Sequence, residues 1–284
     1  MKKAAEFLLY SNLYTFIVVY ALMALTDLLL DQTLYFDAMR GAILGGTLFL
    51  YPAHRLYAVY RHPESALKRI RRASTMKTEM VIIALAGLIV SLYFFFRLNI
   101  DEQIYLAPVV AVGVLYSFPV LKFAKIPPLR ELPLIKPLII AAVVSYATVF
   151  LIGLSWSEPI TLIYLTAVRF FLITALTLPF DIRDIQTDAF ENLRTWPIVL
   201  GEAKTRSAAL FSNVIYTVGN FTAFYFLDYF PLSVFLALWL GEILASAAIK
   251  KLHRHATDVQ FAVYAEGALV LQPVLVVIAI VLTR

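Results

Sequence analysis

The chain of 284 residues has no cysteine. Disulfides and thiolate-held metals are therefore excluded. Charge is also scarce. Asp, Glu, Lys and Arg make up 15% of residues, against about 25% in soluble domains. No long polar linker interrupts the sequence, so nothing divides it into separately folding parts, and residues 1–284 read as a single transmembrane domain.

What is abundant is apolar. Such residues reach 61%, where soluble domains carry about 45–50%. They lie in runs of about 20 residues, the length that crosses a bilayer. Nine candidate spans follow, at 8–30, 37–59, 78–98, 102–121, 134–155, 158–180, 205–227, 230–250 and 260–283. Runs this long and this apolar are helices; they lack the short alternating pattern of barrel strands. The expected fold class is all-α, a polytopic bundle of nine transmembrane helices. The opening Met1-Lys2-Lys3 resembles a signal peptide. The apolar stretch behind it is too long for an h-region and lacks a small-x-small cleavage site, so it counts as the first span.

The net charge of +5 matters less than its placement. Arg61, Lys68, Arg69, Arg71, Arg72 and Lys77 follow the second span, and Lys122, Lys125, Arg130 and Lys136 follow the fourth. Arg183, Arg194, Lys204 and Arg206 follow the sixth, and Lys250, Lys251 and Arg254 the eighth. The intervening loops hold only Arg40 and Arg97. The basic loops thus alternate onto one side, which the positive-inside rule makes cytoplasmic. An inner or plasma membrane protein with its N-terminus inside and its C-terminus outside is expected. Short basic loops between spans are not a nucleic-acid signal. The run Lys68-Arg69-Ile70-Arg71-Arg72 reads as a topology determinant that attracts anionic membrane lipids. Gly41, Gly45 and Gly46 put small residues where two helices can approach closely.

Three aspartates, Asp181, Asp184 and Asp188, stand where the sixth span emerges. On a continuous helix their spacing gathers them within about 60° of one face. Like charges so close call for something cationic opposite. Carboxylate oxygens suit Mg²⁺, which is usually held by one or two carboxylates together with substrate phosphates. Such a site binds a diphosphate and neutralises it as it departs. The alternative is a solvated helix whose acids pair with Arg183 and Arg194. Both readings stand on the residues alone.

The stretch Phe180-Asp181-Ile182-Arg183-Asp184-Ile185-Gln186-Thr187-Asp188, with Leu193-Arg194-Thr195-Trp196-Pro197 and Gly201 behind it, resembles the second aspartate-rich motif of the UbiA superfamily of intramembrane prenyltransferases. That motif runs Asp-x-x-Asp-x-x-x-Asp, then Lys/Arg-Thr-x-Pro and a Gly. Leu115-Tyr116-Ser117-Phe118-Pro119-Val120-Leu121-Lys122 is similar to the family's Tyr-Ser-x-Pro segment before a basic residue. The resemblance implies nine helices around a central cavity. It implies a polyprenyl diphosphate held through Mg²⁺ by two acidic motifs, and transfer of the prenyl group to an acceptor through a carbocation-like state. Asp181, Asp184 and Asp188 would ligate the metal, and Arg55, Lys122 and Arg194 would contact diphosphate oxygens.

The chain departs from that pattern at the end of the second span. Where the family has Asn-x-x-x-Asp, this sequence has Tyr51 and Arg55, and no acid follows until Glu64. Either the Arg55 guanidinium contacts diphosphate directly, replacing a metal, or Arg55 pairs with the triplet and neutralises it internally. The leading expectation is a divergent prenyltransferase with an unknown acceptor. The alternative is a non-catalytic relative that binds or moves a lipid or scaffolds a membrane partner. Elsewhere, Arg169 and Glu242 lie mid-span and are expected to pair, since each is expensive in lipid alone. Glu266 is either an acceptor-positioning group or a buried acid. His54 reads as a packed histidine, with no second histidine at ligand spacing nearby.

Overall fold

The computed structural model describes residues 7–9, 11, 13–31, 33–61, 74–117 and 129–283. Lys68 to Arg72, Phe118, Pro119 and Lys122 lie outside the described residues. Every described element is helical. The long helices are α1 (Leu13–Leu30), α2 (Ala38–Arg61), α3 (Lys77–Phe95), α4 (Ile100–Ser117), α5 (Lys136–Gly153) and α6 (Pro159–Arg183). Two short helices follow, α7 (Ile185–Phe190) and α8 (Trp196–Leu200), and then α9 (Glu202–Tyr225), α10 (Leu232–Lys251) and α11 (Asp258–Thr283). Each of the nine expected spans is therefore a helix among the described residues. Six of them, α1, α3, α5, α6, α10 and α11, are long and apolar enough to cross a membrane. Helices α2, α4 and α9 carry more charged and polar side chains, among them Arg40 and Arg55, Asp101 and Glu102, and Glu202, Lys204 and Arg206. Apolar helices of this length make the chain an integral membrane protein.

Two compact units make up the chain, Met1–Val19 with Phe36–Glu131, and Tyr20–Tyr35 with Leu132–Arg284. In the first, α2 and α3 meet backbone to backbone. A Cβ added at Gly45 would lie 2.5 Å from the Ser91 nitrogen, and one at Gly87 would lie 2.7 Å from the Phe49 nitrogen. The Ser91 hydroxyl donates to the Ala42 carbonyl across the same contact at 2.9 Å. With no hydrophobic drive between helices in lipid, such close approach supplies the association. Helix α4 starts with a reciprocal cap: the Glu102 N–H donates to Asn99 Oδ1 and the Asn99 N–H to Glu102 Oε2, both at 2.9 Å.

In the second unit, Leu25, Leu28 and Leu29 of α1 pack with Ala223 of α9, Val234 and Leu238 of α10, and Val276 and Ile280 of α11. Helix α5 opens into a wider π turn over Tyr146–Phe150. The Thr148 carbonyl accepts from the Thr26 hydroxyl of α1 at 2.6 Å. A second π turn, Ala262–Glu266, interrupts α11 and ends on Glu266, which is half-buried. Such turns re-aim the residues that follow without ending the helix.

The glycine contact yields the first prediction. In Gly45→Ala or Gly87→Ala the new methyl meets backbone, so α2 and α3 must separate, at a cost of about 1–3 kcal/mol. Gly46→Ala, whose methyl would find its nearest neighbour at 3.6 Å, should leave stability unchanged. Thermal unfolding of the three variants in detergent measures the difference.

Candidate functional site

Helix α6 is apolar for most of its length and buries Leu172, Ile173, Leu176 and Leu178 on the way to its acidic end. It stops at Arg183 because Asp184 leaves the helical range, with φ −89° and ψ 5°. The Asp184 N–H still donates to the Phe180 carbonyl at 2.9 Å, and the short helix α7 begins from that corner. The aspartates are therefore not on one continuous face, as their spacing implied. Asp181 is in the last turn of α6, Asp184 at the corner, and Asp188 in α7.

The corner turns two of the acids toward one cation. The Lys136 ammonium stands 3.0 Å from Asp181 Oδ1 and 3.0 Å from Asp188 Oδ2. It also donates to Asp188 Oδ1 at 3.2 Å. Asp181 and Asp188 are buried, at 2% and 4% exposure. One ammonium cannot neutralise two carboxylates, and Asp181 Oδ2 is buried with no hydrogen-bond partner. Asp188 lies outside the spans, and burial pushes its carboxyl up to about 6; Lys136 opposes that rise, while Asp184 and Asp181 reinforce it. Lys136 occupies the first turn of α5, where the helix dipole disfavours a cation. The two carboxylates hold it there.

The start of α5 is fixed by the segment after α7. The Leu134 N–H donates to the Arg194 carbonyl at 3.0 Å, and the Leu134 carbonyl accepts from the Trp196 indole at 2.7 Å. Leu134 is held in the left-handed region at φ 61° by these bonds, a conformation unfavourable for leucine. Pro197 sits in the first turn of α8, where its missing N–H costs nothing. Gly201 closes α8 at φ 84°, which a glycine adopts freely. The Arg-Thr-x-Pro and Gly stretch thus acts as a scaffold that sets Lys136 against the acids.

Asp184 takes a different partner. The Arg183 Nε donates to its Oδ1 at 2.9 Å and Nη2 to its Oδ2 at 3.2 Å. The same guanidinium lies 4.6 Å above the Phe180 ring and 5.0 Å above the Phe261 ring, and Nη1 is 3.7 Å from Asp258 Oδ1. It thereby ties the end of α6 to the start of α11. Among the described residues no three acidic or histidine side chains stand together closely enough to hold a metal ion. The pair Asp181 and Asp188, with its unpartnered oxygen, suits one Mg²⁺ bound by two carboxylates.

The Arg194 side chain is exposed. Arg55 is half-buried and its Nη1 donates to the Leu9 carbonyl at 3.2 Å within the first unit. The expected Arg169–Glu242 pair does not form. Arg169 Nη1 donates to the Leu22 carbonyl at 3.0 Å, and Glu242 Oε1 accepts from Asn220 at 2.9 Å. Each found a neutral partner on a neighbouring helix. Lys136 is the residue that sequence reasoning missed: it was counted among the loop charges, although a lysine opening an apolar helix was a signal of its own.

No protein-family model matches the chain, and no curated protein matches its sequence. Solved structures do. A UbiA homologue from Archaeoglobus fulgidus bound to GPP and Mg²⁺ is similar at TM-score 0.63 and 14% identity, over 96% of this chain and 99% of that one. The apo structure of a UbiA homologue from Aeropyrum pernix K1 is similar at 0.64 and 13%, over 94% and 97%. A digeranylgeranylglyceryl phosphate synthase structure is similar at 0.61 and 15%, over 98% and 99%. The fold of this chain is the UbiA fold.

The Asp188 environment generates a pH prediction. Its folded pKa of about 6 exceeds the ordinary 3.8, so between those values the folded state binds more protons than the unfolded one. The associated stability is present below about pH 4 and is lost as pH rises through about 6. Asp188→Asn removes the titration, so its melting temperature should be flatter than wild type between pH 4 and pH 6. Parallel melting curves in detergent across that window check it.

Proposed function

From the UbiA fold we propose that this chain is a divergent prenyltransferase that binds an isoprenoid diphosphate and passes the prenyl group to an acceptor. The observation that carries the reading is the convergence of two buried carboxylates, Asp181 and Asp188, on one cation at the end of an apolar helix, with Asp181 Oδ2 left without a partner. Buried like charges held together cost stability. A cation-binding role accounts for them.

On this reading the chain works as one transmembrane bundle of nine spans with its N-terminus in the cytoplasm, and the site lies at the cytoplasmic mouth. Asp181 and Asp188 would hold Mg²⁺, with Asp184, bonded to Arg183 in this structure, as the third acid of the set. Bound Mg²⁺ supplies positive charge to the diphosphate. The sequence resemblance assigns Arg55, Lys122 and Arg194 to the phosphate oxygens, with the Arg55 guanidinium standing where the first acidic motif is absent. The prenyl–oxygen bond breaks with both electrons leaving on the diphosphate, fixed cations stabilise that charge, and the acceptor attacks the allylic carbon. The solved relatives bound to GPP or DMAPP with Mg²⁺ support the substrate class.

A second reading has its own observation. Lys136 and Arg183 already neutralise much of the triplet from within, which suits a family relative that binds or moves a lipid without turnover. One experiment separates the two. Mg²⁺ with a non-hydrolysable geranyl diphosphate should raise the melting temperature, by about 2.7 kcal/mol of added stability at a hundred times Kd. Asp181→Asn should abolish the rise. A wild-type protein indifferent to the mixture favours the non-catalytic reading.

A further inference from the structure

The position of Lys136 between Asp181 and Asp188 has a consequence for the order in which the site fills, resting on the functional reading above. The ammonium is within 3.0 Å of an oxygen on each acid. A divalent ion bridging those carboxylates would compete for the same space and the same lone pairs. It would also sit against a cation in a poorly solvated site, since Lys136 is itself only 17% exposed. Repulsion between charges at such range is strong where water is excluded. A second anion would draw the lysine from the acids by the same attraction that now holds it there.

We propose that Lys136 makes metal binding conditional on the diphosphate. Without a phosphorylated ligand, the ammonium is the cation of the Asp181–Asp188 pair and holds Mg²⁺ off. When a diphosphate arrives, its oxygens draw the ammonium away, the carboxylates open, and Mg²⁺ enters. The lysine then neutralises part of the ligand's charge, so the same cation serves both states. Asp181 Oδ2, buried and unpartnered, is the lone pair ready for the metal when the lysine moves. The coupling is reciprocal, as any linkage must be: Mg²⁺ tightens the diphosphate by the factor by which the diphosphate tightens Mg²⁺.

The test uses the full-length protein in detergent and reads melting temperature. Wild type with MgCl₂ alone should not shift, and with MgCl₂ plus the non-hydrolysable geranyl diphosphate it should. Lys136→Met, which removes the competing charge, should respond to MgCl₂ alone at concentrations that leave wild type unmoved. Lys136→Met strips two buried carboxylates of their shared cation and lowers the stability of the fold, so Lys136→Arg serves beside it. The guanidinium reaches both acids, and this variant should stay silent to MgCl₂ alone. A wild-type or Lys136→Arg protein stabilised by MgCl₂ alone as strongly as by the mixture overturns the inference and leaves the functional reading standing. If the mixture stabilises no form of the protein, the functional reading fails and takes this inference with it.

Discussion

The contact between the Lys136 ammonium and two buried carboxylates is the constraint around which the second unit is arranged. Carboxylates in a poorly solvated setting are unfavourable unless a cation and hydrogen bonds compensate them. The cation must arrive from another helix, because the two arginines of α6 are both engaged: Arg169 donates to the Leu22 carbonyl, and Arg183 is committed to Asp184, Asp258 and two aromatic rings. Helix α5 must therefore begin at one place. The chain before it is held by two bonds on Leu134, at the expense of a left-handed leucine. The segment after α7 provides both partners, the Arg194 carbonyl and the Trp196 indole, which gives the tryptophan so close behind the aspartates a structural role.

The helices were legible because lipid leaves the backbone little choice. Every N–H and C=O in a span must be satisfied within it, so a long apolar run commits to a helix of about that length. The expected span 134–155 corresponds to Lys136–Gly153, and 158–180 to Pro159–Arg183. The π turns in α5 and α11 were not legible. They leave hydropathy unchanged and arise from how one helix meets its neighbour, as when Thr26 takes the Thr148 carbonyl. Membrane character in α2, α4 and α9 is less plain than run length implied, because their charged residues dilute the apolar signal.

The site was half legible. The aspartate spacing located the acids and demanded a cation, and both expectations have physical counterparts in Lys136 and Arg183. The helical wheel failed at Asp184 because it assumes the helix continues. A corner of one residue converts a three-acid face into a pair and a single acid with a different partner. Pairing by opposite sign failed for Arg169 and Glu242 for a related reason. Asn213, Tyr216 and Asn220 line one side of α9 and supply neutral partners; Asn220 bonds Glu242, and Tyr216 donates to Gln272 at 2.8 Å. A neutral group on an adjacent helix, the Leu22 carbonyl for Arg169 and the Asn220 amide for Glu242, competes with a distant ion of opposite sign even though it leaves Glu242 Oε2 buried without a partner, and no pairwise reading of the sequence weighs that competition.

The missing acidic motif then acquires a physical meaning. The sequence has a guanidinium, Arg55, where that motif's first acid is expected, a charge that is covalently attached and always present. Lys136 extends the same logic to the remaining acids. Fixed cations cannot diffuse away, but they exclude metal from any carboxylate they already occupy. The functional question for such a chain is thus less whether it can bind a diphosphate than whether the diphosphate can pull the lysine off the aspartates. On the proposed reading, that depends on a contest between the carboxylate pair and the diphosphate for one ammonium.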